Sequence, residues 1–428
     1  MKIIHILLLG VALCLSAKIL VGDNWNSHGD DFAPLYIAAG LVAEGKTLSL
    51  YEHHPSSFDL VPSGEFTRKA EEIGFEGFLH AYVHLPLVSL LCRPLIYVPY
   101  YDAVKCLLLI NYCAVVLSLL LILRMVSGGF DVLWLSIAVV GIAYFSPLRY
   151  GMWLGQTSPL VFLGITCSYY LYSRGYAKVS GGLLGAIISF KIIPIFLMGY
   201  FLIRKNWLLT ISSFCSLILV GIASIMLLGW ETNTIFLQNI ITLSKFSMAS
   251  WNNQSLDGLL LRWVMDTSSL FTWHLLPLSF EMKMVKYAVL VAVLAVWFIM
   301  LTRHASRGQP NRDIIDFSFT LIVMLFISPV TWSHYLIILV FPYIVIAHTL
   351  IHNTMIPYRL ALAAITMVSY MAVAFSPLFL PDAAPPLLAG KVSLRALSSL
   401  GFLGEALLLI TFSLPFIRQR TVEVTHHS

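Results

Sequence analysis

Long apolar runs, separated by short connections rich in Gly, Pro or charge, make up most of this chain. In order they cover residues 3–21, 85–99, 103–123, 132–145, 160–172, 181–203, 208–228, 285–301, 314–327, 335–350, 360–375 and 397–417. As helices, the longer runs cross a hydrocarbon core of roughly 30 Å. None shows the period-two alternation of a membrane barrel. The pattern therefore predicts an all-α polytopic membrane protein, residues 1–428 forming a single integral membrane domain, with about 12 transmembrane helices. The stretch SPLRYGMWLGQTSP, between the fourth and fifth runs, reads as a turn inside the membrane.

Composition agrees. Hydrophobic residues are 59% of the chain and charged residues 11%, with a mean hydropathy of +0.85, whereas soluble domains are about one-quarter charged. The net charge of +5 is best read as topology, because Lys and Arg resist translocation. Lys2, Arg204-Lys205, the 303–312 segment and Arg418 with Arg420 then share the cytoplasmic side. Residues 22–83 become a first extracytoplasmic loop, 230–283 a second, and 381–395 a third. This is the pattern of a multi-pass plasma (inner) membrane protein. No basic stripe interleaves with aromatics, so no nucleic-acid partner is expected. The first run has the outline of a signal peptide, but Leu13 stands where lipoprotein cleavage before Cys14 needs a small residue. It reads as a retained helix. All six cysteines lie in or near apolar runs, which predicts neither a disulfide framework nor a zinc site.

Chemistry is then sought in polar residues that are costly where they sit. Lys191, in GAIISFKIIPIF, lies mid-run, too deep to snorkel with ease, and Pro194 bends the helix beside it. It suits an anion contact, the bland alternative being a structural ion pair. His334 opens the run after Ser328-Pro329 and can donate to a phosphate or exchange a proton. Glu405 is another intramembrane acid without an evident role. In SMASWNNQSLDG, Trp251 beside Asn252, Asn253, Gln254 and Ser255 has the composition of a sugar site. The same residues read equally as a helix cap at Ser255 or Asn253.

Asp30 and Asp31 precede FAPLYIAAGLVAEG, which reads as an interfacial amphipathic helix with Phe32, Leu35, Tyr36 and Ala39 on one face. A cap would account for one aspartate and leave the other free. His80 and His84, four apart, would share a helical face, but without a carboxylate they argue weakly for a metal. His53-His54 argues less still. GGLLGA at Gly181 reads as a close-packing helix surface.

These residues together resemble glycosyltransferase family 87 of the GT-C superfamily, which includes polyprenol-phosphate-mannose-dependent α-1,2-mannosyltransferases. The resemblance rests on Asp31-Phe32 with Tyr36 and Ala38-Ala39, on Gly155-Gln156, on Lys191 with Pro194, on Asn253-Gln254-Ser255, and on Ser328-Pro329 with Trp332 and His334. The chain departs from the family where YVHLPL keeps one proline of Tyr-Pro-Pro and where a second histidine often adjoins His334. The resemblance implies a GT-C type fold and an inverting transfer of a sugar, mannose first, from a polyprenyl-phosphate donor to a hydroxyl of a lipid or glycan acceptor outside the membrane. Asp31 would be the general base and His334 a second catalytic residue. Asp30, Tyr36, Gln156, Lys191, Asn253 and Gln254 would bind substrate. Neither a metal nor another cofactor is expected, because a lysine and hydrogen bonds can neutralise a monophosphate. From the physics alone, the rival is a transporter or flippase of a lipid-linked or anionic solute, with Lys191 as a midplane contact.

Overall fold

The computed structural model describes residues 2–51, 64–129, 131–304, 310–353, 356, 358–376 and 391–425. His53-His54 and most of the predicted third external segment lie outside the described residues. Among the described residues the regular structure is helical, the extended pairings being isolated bridges, Ser247 with Leu276 and Asn253 with Trp332. The chain is a polytopic membrane protein. Five helices are long and apolar enough to cross a membrane, Ile3–Gly22, Tyr100–Ser127, Trp207–Leu228, Phe280–Thr302 and Ser333–His352. The pair Val132–Ala143 and Ser146–Trp153 is apolar enough taken together but bent by 63°, the geometry of either a broken span or a re-entrant loop.

The other apolar runs form shorter helices, and local sequence explains the breaks. Phe145 is extended and Pro147 opens the next helix, a position where a missing N–H costs nothing. The predicted membrane turn is thus largely a short helix set at an angle. The run 181–203 splits into Ala177–Phe190 and Phe196–Ile203, with Lys191 extended between them at φ −139° and ψ 125°. Pro194 cannot donate to the Phe190 carbonyl four residues back. His84 Nδ1 lies 3.4 Å from that carbonyl instead.

Small residues bring helices close. A side chain at Gly181 or Gly185 would strike the backbone carbonyls of Leu209 or Ser213, so GGLLGA is a packing surface, as its composition suggests. Ser180 Oγ donates to the Ser168 carbonyl at 2.7 Å across a second pair of helices. Arg204, buried, pairs with Asp313 at 3.1 Å and with Asp316, which ties the Phe196–Ile203 helix to Pro310–Phe326.

A second core surrounds the helix Ala33–Ala43. Leu35, Tyr36 and Ala39 are buried on the expected face, but Ile37, Ala38 and Leu41 are equally buried. The helix is enclosed because Pro86–Cys92, Arg93–Tyr97 and Gly64–Glu72 pack over it. At its end Glu44 bonds to Lys69 and Lys46, which hold its carboxyl down at about 2.

Candidate active site

Two glycine loops meet at the aspartate pair. Gly29 and Gly155 have φ of +65° and +68°, a backbone region that side chains disfavour. A Cβ at Gly155 would approach Phe32 Cβ to 3.0 Å and Gly29 Cα to 3.2 Å. This contact lets the Asp31 N–H donate to the Leu154 carbonyl at 2.9 Å. From the other side the Tyr100 hydroxyl reaches the carbonyls of His28 and Gly29 at 2.7 and 3.0 Å. Neither aspartate caps the following helix, whose N-cap position belongs to Phe32. The capping explanation of one carboxylate therefore fails.

The neighbours face different ways. Asp30 is buried, with its Oδ1 seated against Gly77. Burial pushes its carboxyl up, with His80 opposing and Asp31 adding to the rise. Asp31 opens into the cluster. Gln156 Nε2 donates to its Oδ2 at 2.5 Å, and His80 Nε2 stands 3.4 Å from its Oδ1.

Gln156 continues the chain of contacts. Its Oε1 accepts from Lys191 Nζ at 2.8 Å, so the amide orientation follows from chemistry, with donor toward carboxylate and acceptor toward ammonium. Lys191 also donates to Ser158 Oγ at 3.1 Å and lies 4.4 Å over the Tyr335 ring. His334 is buried within electrostatic range of Lys191 and His80. Gly151 admits it, since a Cβ there would stand 3.2 Å from His334 Cβ. Neither His334 ring nitrogen has a hydrogen-bond partner among the described residues.

Asn253, Gln254 and Tyr36 are placed differently. Asn253 Nδ2 donates to the Met248 carbonyl at 2.9 Å and its Oδ1 accepts from the Thr331 N–H at 3.2 Å. Gln254 Nε2 donates to the carbonyls of Trp251 and Ser398, and its Oε1 accepts from the Phe402 N–H. Both amides are buried and occupied by the protein. Asn253 clips the 247–255 loop to the segment leading to His334, and Gln254 clips it to residues 398–402. Ser255 caps the helix Leu256–Val264 by accepting from the Gly258 N–H at 3.1 Å. The Tyr36 hydroxyl donates to the Val98 carbonyl at 2.8 Å. Glu405 is buried against Tyr343, apart from the groups joined to Asp31.

The sequence ties neither His80, which it reads with His84 only as a weak metal pair, nor Tyr150 to Asp31. His80 lies in a non-helical stretch, so it and His84 do not share a helical face. One meets Asp31, the other the Phe190 carbonyl. Tyr150 lies within electrostatic range of Asp31 and Asp30. Among the described residues no group of three or more His, Cys, Asp and Glu has the arrangement to hold a metal ion. A cavity of about 300 Å³ is lined by Lys191, His84 and Tyr335 together with Ile192, Ile195 and Phe236.

A multi-pass membrane protein that couples a carboxylate through an amide to a lysine in a helix break has the makings of a membrane-embedded transferase. The profile of glycosyltransferase family 87 matches residues 82–329, over half of the chain, and the protein belongs to that family. The matched residues include Gln156, Lys191, Asn253 and Gln254, while Asp31, His80 and His334 lie outside them. Comparisons with curated proteins and with solved structures give no match.

Proposed function

We propose that the protein is an inverting glycosyltransferase that moves a sugar, mannose first among candidates, from a polyprenyl-phosphate donor to a hydroxyl of an envelope glycolipid or glycan. The reaction takes place on the extracytoplasmic side of the plasma membrane. Asp31 is the general base. It removes the acceptor hydroxyl proton as that oxygen bonds to the anomeric carbon. The bond from that carbon to the phosphate oxygen breaks, and its electron pair leaves with the polyprenyl phosphate. The proton ends on Asp31.

The observation that carries this reading is the Asp31–Gln156–Lys191 relay, with bonds of 2.5 and 2.8 Å. It sets a base and a cation a few ångströms apart in fixed orientation, as nucleophile activation and leaving-group stabilisation require. Lys191 and the unpartnered His334 take the developing phosphate charge. The apolar cavity beside Lys191 suits the first isoprene units of the donor. Asn253, Gln254 and Tyr36 support the site from behind, and Asp30 is seated against Gly77.

The helix break at Lys191 also fits a transporter, which uses broken helices at its substrate site. Transport gives no work to a carboxylate tied to that lysine, and membership of a glycosyltransferase family favours transfer. The test is transfer of radiolabelled sugar from synthetic polyprenyl-phosphate mannose and arabinose to native lipid extract, in membranes carrying wild type or Asp31→Asn. Label in a new product with wild type alone is expected. Equal labelling by the variant removes Asp31 as base, and no labelling from either donor with folded protein overturns the reading.

A further inference from the structure

A larger cavity, of about 470 Å³, lies apart from the groups joined to Asp31. Leu123, Trp134, Ile142, Tyr343, His348 and Tyr370 contribute to its wall, so that four helices enclose it, Tyr100–Ser127, Val132–Ala143, Val340–His352 and Arg359–Phe375. Its depth in the bilayer follows from the first of these. Tyr100 bonds to the His28 and Gly29 carbonyls beside the aspartates, and Leu123 stands about six turns further along, roughly 35 Å away at the α-helical rise. The rim residues Ile137, Ile351 and Met367 are exposed, so the cavity opens sideways to lipid.

The wall is apolar along most of its length. The hydroxyls of Tyr343 and Tyr370 are already bonded, to Ser369 Oγ and to the Gly141 carbonyl, at 2.8 and 3.0 Å. Among the described residues no Asp or Glu contributes to the wall. At the end remote from Asp31 the chemistry changes. His348 lines the cavity there, with the His352 ring centred 4.2 Å from its own. Arg359 lies one turn before Ala363, on the helix face that Ala363, Thr366, Met367 and Tyr370 carry into the cavity. It has no ion pair among the described residues. Trp134, in the first turn of its helix, adds the amphipathic ring favoured at a membrane–water interface.

We propose that this cavity is a binding site for an anionic phospholipid of the bilayer. One acyl chain lies in the cavity, and the phosphate sits at the end marked by Arg359 and His348, in the leaflet away from Asp31. Charge decides the class of lipid. A zwitterionic lipid offers the same chain, but basic groups between membrane helices select a headgroup with net negative charge. The prenyl chain of a glycosyl donor does not suit the site, because its phosphate belongs at Lys191. That ammonium lies over the Tyr335 ring, and Tyr335 is about 20 Å from His348 along the same helical segment. The deep end of the cavity touches the catalytic side. Phe145 lines it and stacks on Tyr370 with ring centres 5.8 Å apart. Phe145 is also the extended residue before the short helix Ser146–Trp153, whose Gly151 admits His334. A chain in the cavity thus fills the space under that bend.

The test uses the full chain in nanodiscs of phosphatidylcholine. Trace phosphatidylglycerol with a photoreactive group at the end of one acyl chain is crosslinked, the phosphatidylcholine analogue serves as control, and labelled peptides are mapped by mass spectrometry. Labelling by phosphatidylglycerol should concentrate on residues 134–145, 340–351 and 363–370 and exceed that by the control about fivefold, the effect of one Arg beside an anionic lipid. On the lipid-facing helix Trp207–Leu228 the two probes should label alike. Ala363→Phe and Ala138→Phe, which fill the cavity from two walls, should abolish its labelling and leave that of Trp207–Leu228 unchanged. Arg359→Gln, which leaves the cavity open, should equalise the two lipids and keeps the test decisive if both filling variants misfold. Equal labelling by the two lipids in wild type, undiminished cavity labelling in a folded filling variant, or a preference that survives Arg359→Gln overturns the proposal. So does displacement of the probe by polyprenyl phosphate at lower concentration than by unlabelled phosphatidylglycerol, which assigns the cavity to a prenyl chain.

Discussion

The side-chain amide of Gln156 donates to Asp31 across 2.5 Å, joining two residues 125 positions apart in the chain, and its oxygen simultaneously accepts from Lys191. A single side chain therefore holds base and cation in register. Gln156→Leu keeps the volume and removes both bonds, leaving a carboxylate and an ammonium without their neutral linker. Charge-assisted bonds of this kind are worth about 1.5–3 kcal/mol each, so kcat should fall roughly 10- to 100-fold. Lys191→Met should act instead on the donor, raising its apparent KM. Steady-state kinetics with varied donor distinguishes the two, and identical profiles would contradict separate roles.

Asp31 and Asp30 are adjacent but their tasks separate by environment. Asp31→Asn removes the base while keeping the Gln156 contact, so turnover should drop about 10²- to 10⁴-fold with thermal stability near wild type. Asp30 makes no bond to Gln156 or Lys191, so Asp30→Asn should cost much less. Single-turnover transfer rates for the two variants check this. A larger loss in the second would mean that the acids had been assigned the wrong way round.

The same environment gives Asp30 a pH signature. Burial raises its carboxyl first; His80 opposes, Asp31 adds to the rise, and the Phe78 N–H and His28 oppose. The folded chain thus holds this proton more tightly than the unfolded chain does. Its contribution to stability is complete below the ordinary carboxylate range and is lost as pH rises through the raised value. Asn at position 30 has no proton to lose. Melting curves from about pH 4 to pH 7 should therefore show wild type losing stability relative to Asp30→Asn as pH rises. Parallel curves would show that Asp30 carries no such penalty.

Much of the site was visible in the sequence because charge in an apolar run is conspicuous. Lys191 and His334 stood out on that ground, and Asp31 by being one acid too many for a cap. Gln156 came only through the family resemblance. His80 was out of reach, since its partner lies 49 residues away and its spacing from His84 imitates a helix where the chain is not helical. Composition alone could not separate amides that face a sugar from amides spent on loop backbone, which is what Asn253 and Gln254 are. Apolar runs gave the helices but not their lengths, because Lys191 with Pro194 and Phe145 with Pro147 divide runs at places set by the site. The helix after Asp31 forms where expected but shows no exposed face from Ala33 to Leu41, because elements whose packing no local pattern announces cover it.

His80 faces the free oxygen of Asp31 at 3.4 Å and keeps partial exposure. A histidine at this distance can orient that oxygen and offer a route for its proton to leave. His80→Gln retains a donor of similar reach but cannot carry the proton, so kcat should fall about tenfold with donor KM little changed. Partial recovery with added imidazole would support proton transfer. A variant with wild-type kcat would leave His80 without a part in the chemistry.

The alignment of Asp31 with Gln156 depends finally on two glycines at φ +65° and +68°, Gly29 and Gly155. Gly155→Ala forces a side chain into a backbone region that costs an L-residue about 1–2 kcal/mol. It also presses a methyl to 3.0 Å from Phe32 Cβ, next to the base. The loop has to retreat from Gly29, which lengthens the Asp31 N–H bond to Leu154 and moves Gln156 with it. Activity should therefore fall well beyond what the stability loss explains. At a temperature where thermal melts show the variant fully folded, kcat should be reduced at least about tenfold, since misplacing a catalytic group by an ångström costs up to about 10²-fold. A fully folded Gly155→Ala enzyme with normal kcat would show that the contact of the two loops does not set the position of the base.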